Sequence, residues 1–316
     1  MHHNSPWTES PFFESELEKS DLSPEMKEKV RFYSENGYLI IDPEIPETLL
    51  DEAREGLLSE FSNRKSTRIQ DIWKENEKVR QIAIAPKILD LLQVLYRKKP
   101  IPFQTLNFNV GTQQRTHSDT IHFDCIPQRF MCGVWVALED VKQDNGPLHY
   151  YPGSHKYPIY NLLDMGIMGS ASKSMEDSLS RNYQSYEDFI EEFVKVKKLT
   201  PETLHIKKGQ AIIWSANLLH GGNKIERPGA TRHSQVTHYY FEDCVYYAPL
   251  LTDMAIERIN IREITDIQTG QKVKSSYNHR PISNTGYSYK VYLPTHILRT
   301  VVPESLRKRV KSLLFR

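Results

Sequence analysis

Two overlapping copies of a His-x-Asp pattern lie in RTHSDTIHFDC, residues 115–125: His117-Ser118-Asp119 and His122-Phe123-Asp124. An imidazole nitrogen and a carboxylate oxygen are both metal ligands, and on a β-strand residues i and i+2 face the same side. Either pair can therefore grip one ion from a single face. A third ligand is available downstream, where IIWSANLLHGGNK places His220 just after an apolar β run, at the lip of a Gly-Gly turn. Two histidines and one carboxylate on one face of an ion, with the opposite positions open, form the facial triad of non-haem Fe(II) oxygenases. Zinc is the rival metal. A closed zinc site wants a fourth protein ligand, often a cysteine, and Cys125 follows the second pair directly.

The open positions need an occupant. In the Fe(II) class the co-substrate 2-oxoglutarate chelates the metal, and its far carboxylate requires a buried cation. Arginine suits that role because its planar fork matches a carboxylate. Arg232 lies 12 residues after His220 on the β-rich run TRHSQVTHYYF. Ser234 is two residues further on, faces the same side, and adds a hydroxyl. His117-x-Asp119, His220 and Arg232-x-Ser234 in this order are far more specific than any one part.

The elements that must carry these residues are legible in outline. Ser23 as N-cap, Pro24 at the first helical position and Gly37 as the stop predict a helix, followed by a short buried strand, YLIID. IPETLLDEAREGLLSEFS has helical apolar spacing, and a third helical region over about 72–97 breaks near Pro86. From Ile101 the character becomes β. IPFQTLNFNV, FMCGVWVALEDV, GQAIIWSANLLHGG and TRHSQVTHYYFED are strands, with turns at Asn145-Gly146 and Pro152-Gly153. Residues 101–157 and 203–247 together read as one antiparallel unit. The fold class is mainly β with helical additions. Between the two β stretches, 158–202 reads as an insert, either a lid or a surface excursion, whose second part is helical. After 247 comes an extension with a hairpin around Thr269-Gly270. It ends in PESLRKRVKSLLFR, a basic amphipathic helix that packs on its own domain or rests on an anionic membrane surface. Residues 1–22 read as poorly ordered, and 23–316 as a single domain.

Composition narrows the function classes. A formal net charge of +1 over 316 residues gives no general attraction to nucleic acid. Three cysteines, Cys125, Cys132 and Cys244, form no C-x-x-C pair and no disulfide framework. No apolar run is long enough to span a bilayer, and no leader pattern opens the chain, so a cytoplasmic location is the expectation. The partner expected is a small-molecule substrate; oligomeric state is not legible.

Taken together, THSD, GVWVALEDVKQDNGPLHYYPGSHK, LLHGG and TRHSQVTHYYF resemble the phytanoyl-CoA dioxygenase family of Fe(II)/2-oxoglutarate oxygenases, over about 28–247. The resemblance implies a double-stranded β-helix (jelly-roll, cupin-like) core with N-terminal helices packed on it. It implies iron on His117, Asp119 and His220. In the family the metal pair precedes a strand whose tryptophan lies beside 2-oxoglutarate. Trp135 falls 18 residues after His117, the family's separation, which favours the first His-x-Asp copy over the second. A polar residue on the preceding strand also touches 2-oxoglutarate; Gln104 is the best match and Asn107 the next. The interval from His220 to Arg232 is one residue longer than the family pattern, a departure within a turn. The implied reaction consumes O2 and 2-oxoglutarate, releases succinate and CO2, and hydroxylates a small metabolite or biosynthetic intermediate. Asp119 argues for oxygen transfer, since related halogenases lack the carboxylate and seat a halide there. His122 then either supports the strand or faces the substrate, and Asp124 reads as a surface or turn residue. His149, His155, His233 and His238 read as structural. The competing functions are a zinc-dependent cupin-like hydrolase or isomerase, and a non-catalytic ligand-binding member.

Overall fold

The computed structural model describes residues 4–167, 175–256 and 258–282, all within one compact unit, Met1–Asn284. The basic helix expected over 303–316 and the small-residue stretch 168–174 of the insert lie outside the described residues.

The N-terminal helices form where their caps predict. Helix α1 spans Phe13–Glu18 and α2 Pro24–Asn36. The Ser23 hydroxyl accepts the Met26 amide, and Gly37 closes α2 at φ 77°, a left-handed position that favours glycine. Helix α3 (Glu47–Arg64) buries Leu50, Ala53, Leu57 and Phe61, one stripe at helical spacing. The third helical region breaks just before Pro86, giving α4 (Glu77–Ala83) and α5 (Pro86–Tyr96).

Residues 1–22 are corrected where described. Trp7, Phe13 and Leu17 are buried in the main core, and the Trp7 indole donates to the Val94 carbonyl at 3.0 Å. The acidic, polar composition of this segment hid three well-spaced apolar anchors.

The β unit is as expected. Its strands are β1 (Tyr38–Ile41), β2 (Arg68–Gln70), β3 (Pro100–Phe108), β4 (Asp124–Ile126), β5 (Met131–Ala137), β6 (Leu148–Tyr150), β7 (Glu202–Thr203), β8 (Ala211–Ser215), β9 (His220–Gly222), β10 (Ser234–Phe241) and β11 (Val245–Tyr247). The large sheet runs β1-β8-β5-β10-β3-β2, the small one β7-β6-β9, and β4 pairs with β11; every pairing is antiparallel. This is the jelly-roll core with helices packed on one side. The helices cover one face of the large sheet, and the other face, with the small sheet, walls a cavity. The insert contributes α6 (Met175–Lys197). The hairpin at Gly270 forms from β12 (Ile264–Thr265) and β13 (Lys272–Val273).

Candidate metal centre and co-substrate pocket

Folding makes neighbours of the two ligand histidines across 103 positions of sequence. His117 and His220 form an antiparallel bridge, each amide donating to the other's carbonyl at 2.9 Å. Residues paired in this way project to the same face, and their rings lie 4.5 Å apart between centroids. Asp119 is not on a regular strand. It begins a 3-10 turn, Asp119–Ile121, set up by the Ser118 hydroxyl accepting the Thr120 amide. That turn swings the carboxylate towards the bridge, where strand alternation alone was the expectation.

Each side chain is fixed by a partner that frees one ligand atom. His117 Nδ1 lies 2.8 Å from the Arg115 carbonyl, and His220 Nδ1 lies 2.9 Å from the Leu218 carbonyl. A carbonyl only accepts, so both Nδ1 atoms carry the proton and both Nε2 lone pairs face the centre, that of His117 accepting from the Gln114 amide. The Trp214 indole donates to Asp119 Oδ2 at 2.7 Å, which leaves Oδ1 facing both Nε2 atoms at 4.0 Å. The three ligand atoms lie within 4.8 Å of one another, and this is the set of that kind among the described residues. Burial holds the His117 and His220 imidazoles down at about 4, so both are neutral, the form that binds a metal.

Cys125 does not complete a zinc site. It is buried on β4, with its thiol on the Pro127 carbonyl, and is not part of the ligand set. Asp124 is corrected from a surface residue to a buried one. Its Oδ2 accepts the Tyr247 hydroxyl at 2.9 Å, and burial raises its carboxyl to about 6. The second His-x-Asp copy is thus split, since His122 lines the cavity with its ring 4.7 Å from that of Tyr183.

The cavity beside the triad measures about 690 Å³. Gln104, Trp135 and Arg232 line it together with Leu106, Val236 and Trp214. Arg232 is 1% exposed, and its Nη1 donates to the Gly146 carbonyl at 2.6 Å. Its Nε has no partner, nor have Trp135 Nε1, Gln104 Oε1 and Ser234 Oγ. A buried guanidinium without a carboxylate costs several kcal/mol by order of magnitude. Burial lowers its pKa to about 10, so it stays charged at neutral pH. A buried cation and an unpaired indole N–H on the same cavity wall fit a small dicarboxylate.

Two expectations fare differently. Ser234 shares the strand face of Arg232 but does not line the cavity wall itself. Asn107 is corrected: it points to the other side of the sheet, where Nδ2 donates to Gln235 Oε1 at 3.3 Å. Alternation decides this, because Gln104, Leu106 and Phe108 occupy the cavity face of β3.

Three contributors escaped the sequence reading. His238 lines the cavity, with Nε2 3.8 Å from Asp119 Oδ2. Its signal was parity, since Arg232, Ser234, Val236 and His238 alternate along one run. Trp214 carried no motif. Gln114 Nε2 lies 3.2 Å from His117 Nε2 and donates to the Tyr183 hydroxyl on α6 at 3.0 Å, which ties the insert to the centre. His149 is held between Thr116 and Asn223, and His155 lies against the Ser34 carbonyl, as structural histidines.

The family model described as Phytanoyl-CoA dioxygenase (PhyH) matches residues 33–234. Peroxisomal phytanoyl-CoA dioxygenase of Rattus norvegicus is 23% identical over 267 residues, covering 74% of this chain and 73% of that protein. The human enzyme is 22% identical over 265 residues, with 74% and 73% covered. Among solved structures, the non-haem α-ketoglutarate-dependent carbocyclase SnoK from nogalamycin biosynthesis superposes with a TM-score of 0.54 at 16% identity, covering 72% of this chain and 87% of that one. EctD from S. alaskensis with bound Fe gives 0.51 at 18% identity, covering 71% and 78%. These structures share the fold.

Proposed function

The chain belongs to the phytanoyl-CoA dioxygenase family, and from that premise we propose that it hydroxylates a small metabolite or biosynthetic intermediate at the His117–Asp119–His220 centre. It is a non-haem Fe(II)- and 2-oxoglutarate-dependent dioxygenase. The observation that carries the site assignment is the buried Arg232, left without an anion beside a three-ligand metal face.

Iron with 2-oxoglutarate and O2 supplies oxidation of a substrate C–H bond, with release of succinate and CO2. The chain does the rest. His117 and His220 offer Nε2 and Asp119 offers Oδ1. Trp214 keeps Oδ2 occupied, so Asp119 would offer the ion one oxygen. Arg232 receives the far carboxylate of the co-substrate, with the Trp135 ring 5.4 Å from its guanidinium carbon. Tyr183 lines the cavity and brings α6 against Gln114 beside the ligand face. Asp119 supports oxygen transfer over halogenation, since its carboxylate would take the place that a halide needs.

The test is succinate release under O2 together with anaerobic binding of Fe(II) and 2-oxoglutarate. Arg232→Ala is expected to raise the 2-oxoglutarate requirement at least tenfold, the loss of one charge-assisted pair, and to leave iron affinity nearly unchanged. Unchanged 2-oxoglutarate affinity in that variant removes Arg232 from the site. Zinc-supported hydrolysis without 2-oxoglutarate turnover would favour the hydrolase reading instead.

A further inference from the structure

Arg68 and Arg262 line the same cavity and take no part in the centre described above. Arg68 stands on edge strand β2, paired with Phe108, and Gln70 follows on the same face opposite Leu106. Arg262 comes from the extension after β11. Its segment is pinned by the Tyr247–Ile261 bridge and by the Arg262 amide donating to the Tyr246 carbonyl at 2.8 Å. Its guanidinium lies 4.7 Å from the Phe123 ring centre, and Nη1 lies 3.4 Å from the His122 carbonyl. Both positive charges bear on His122.

Neither guanidinium has a carboxylate partner among the described residues. Arg115, Arg129 and Arg227 show the usual alternative, each meeting at least one acid. Among the described residues, Asp119 is the single carboxylate that lines the cavity. The charges can therefore be balanced group by group. A divalent ion, Asp119, Arg232 and a 2-oxoglutarate dianion together come to zero, and the buried histidines are neutral. Arg68, which is exposed, and Arg262, which is half-buried, are left over, an excess of two positive charges along the cavity wall.

We infer that the primary substrate carries a carboxylate or phosphate on an apolar body, and that Arg68 and Arg262 hold its anionic end at the mouth of the cavity. The apolar body rests on Phe123, Leu250 and Leu251, which line the wall beside the two guanidiniums. A volume of about 690 Å³ lies inside the range of roughly 300–1,000 Å³ that encloses a drug-sized ligand. Cation–π contact with Phe123 holds the Arg262 fork in place before a ligand arrives. The inference rests on the reading of this cavity as the Fe(II)/2-oxoglutarate site.

The experiment is calorimetric titration of the full chain, loaded with Fe(II) and saturating 2-oxoglutarate without O2. The probes are hexanoate, hexyl phosphate and 1-hexanol. At least one anion binds roughly tenfold or more tightly than hexanol, and which anion binds tighter tells carboxylate from phosphate. Arg262→Gln and Arg68→Gln each weaken the preferred anion about fivefold or more and leave hexanol unchanged. Arg262→Lys, which keeps the charge, retains most of the preference and separates charge from packing. Equal or absent binding of anions and hexanol overturns the inference, as does an undiminished preference in both Gln variants. If the unsubstituted protein fails to bind 2-oxoglutarate, the site reading itself falls. If it binds 2-oxoglutarate with no anion preference, only this inference falls.

Discussion

Asp119 divides its work between two oxygens, and the division yields two measurable effects. Oδ1 is the ligand atom; Oδ2 is held by Trp214. Asp119→Ala is expected to abolish succinate formation and iron retention. Asp124→Ala keeps most of both, because Asp124 is engaged with Tyr247 and Gln128 away from the triad. Iron loss in Asp124→Ala with retention in Asp119→Ala would invert the assignment of the two motifs. Trp214→Phe keeps an aromatic ring, smaller than the indole, and deletes the N–H. Loss of a hydrogen bond that orients a ligand typically lowers metal affinity by about 10–100-fold. Equilibrium iron binding in Trp214→Phe checks this, and an affinity equal to that of the unsubstituted protein would show that the carboxylate orients itself.

At the scale of elements, the strands hold the triad and α6 reaches it through Tyr183 and Gln114. Trp214 reaches Asp119 only because β5 carries Gly133 opposite it: a Cβ there would lie 2.4 Å from the indole ring. Helix α6 is tied down by Arg115, two residues before His117, which faces Glu187, Asp188 and Glu191. Each pair is partly exposed and worth little alone, but all three share one guanidinium. Arg115→Ala is therefore expected to change global stability by less than about 1 kcal/mol while amide exchange over 183–191 becomes faster. Unchanged exchange there would mean that packing of Tyr186 and Ile190 suffices to hold the helix. These element-level ties explain what the sequence could show. His117, His220 and Arg232 were readable because ligand chemistry restricts residue type and the β runs fix their order. The place of His238 followed from strand parity but needed the face of Arg232 to be known first. Trp214 and Gln114 act on the centre through contacts made across strands and loops, and no local spacing encodes those. Asn107 failed because a β run does not reveal which of its two faces meets the cavity. The reading of residues 4–22 as poorly ordered failed because three anchors among acidic residues make no periodic pattern.

Across the whole molecule, the buried imidazoles set a limit in acid. Burial, the leading cause in each case, holds His117, His155, His220 and His238 at about 4 and His122 at about 3. In the unfolded chain each returns to about 6.5. Below that value the unfolded chain takes up protons that the folded one refuses, so stability falls as pH drops from about 6.5 towards 4. Asp124 works in the opposite sense. Its carboxyl, raised to about 6, keeps its proton in the fold where the unfolded chain has lost it. Its contribution is present in acid and fades as pH rises through about 6. Burial also raises Glu9 and Glu187, and the five imidazoles outweigh these three carboxyls. At pH 5 each imidazole removes up to about 2 kcal/mol, and even part of that sum is large against a total stability of roughly 5–15 kcal/mol. The metal-free protein is therefore expected to lose denaturation midpoint steadily between pH 6.5 and 4.5. Fe(II) raises the midpoint at pH 7.5 by binding only the folded chain. That gain closes towards pH 5, because protons compete for the Nε2 atoms. Urea midpoints followed by tryptophan fluorescence, with and without iron under anaerobic conditions, test both parts. A midpoint that stays level down to pH 4.5 would mean that the imidazoles are charged within the fold, and the neutral ligand face described for His117 and His220 would be wrong.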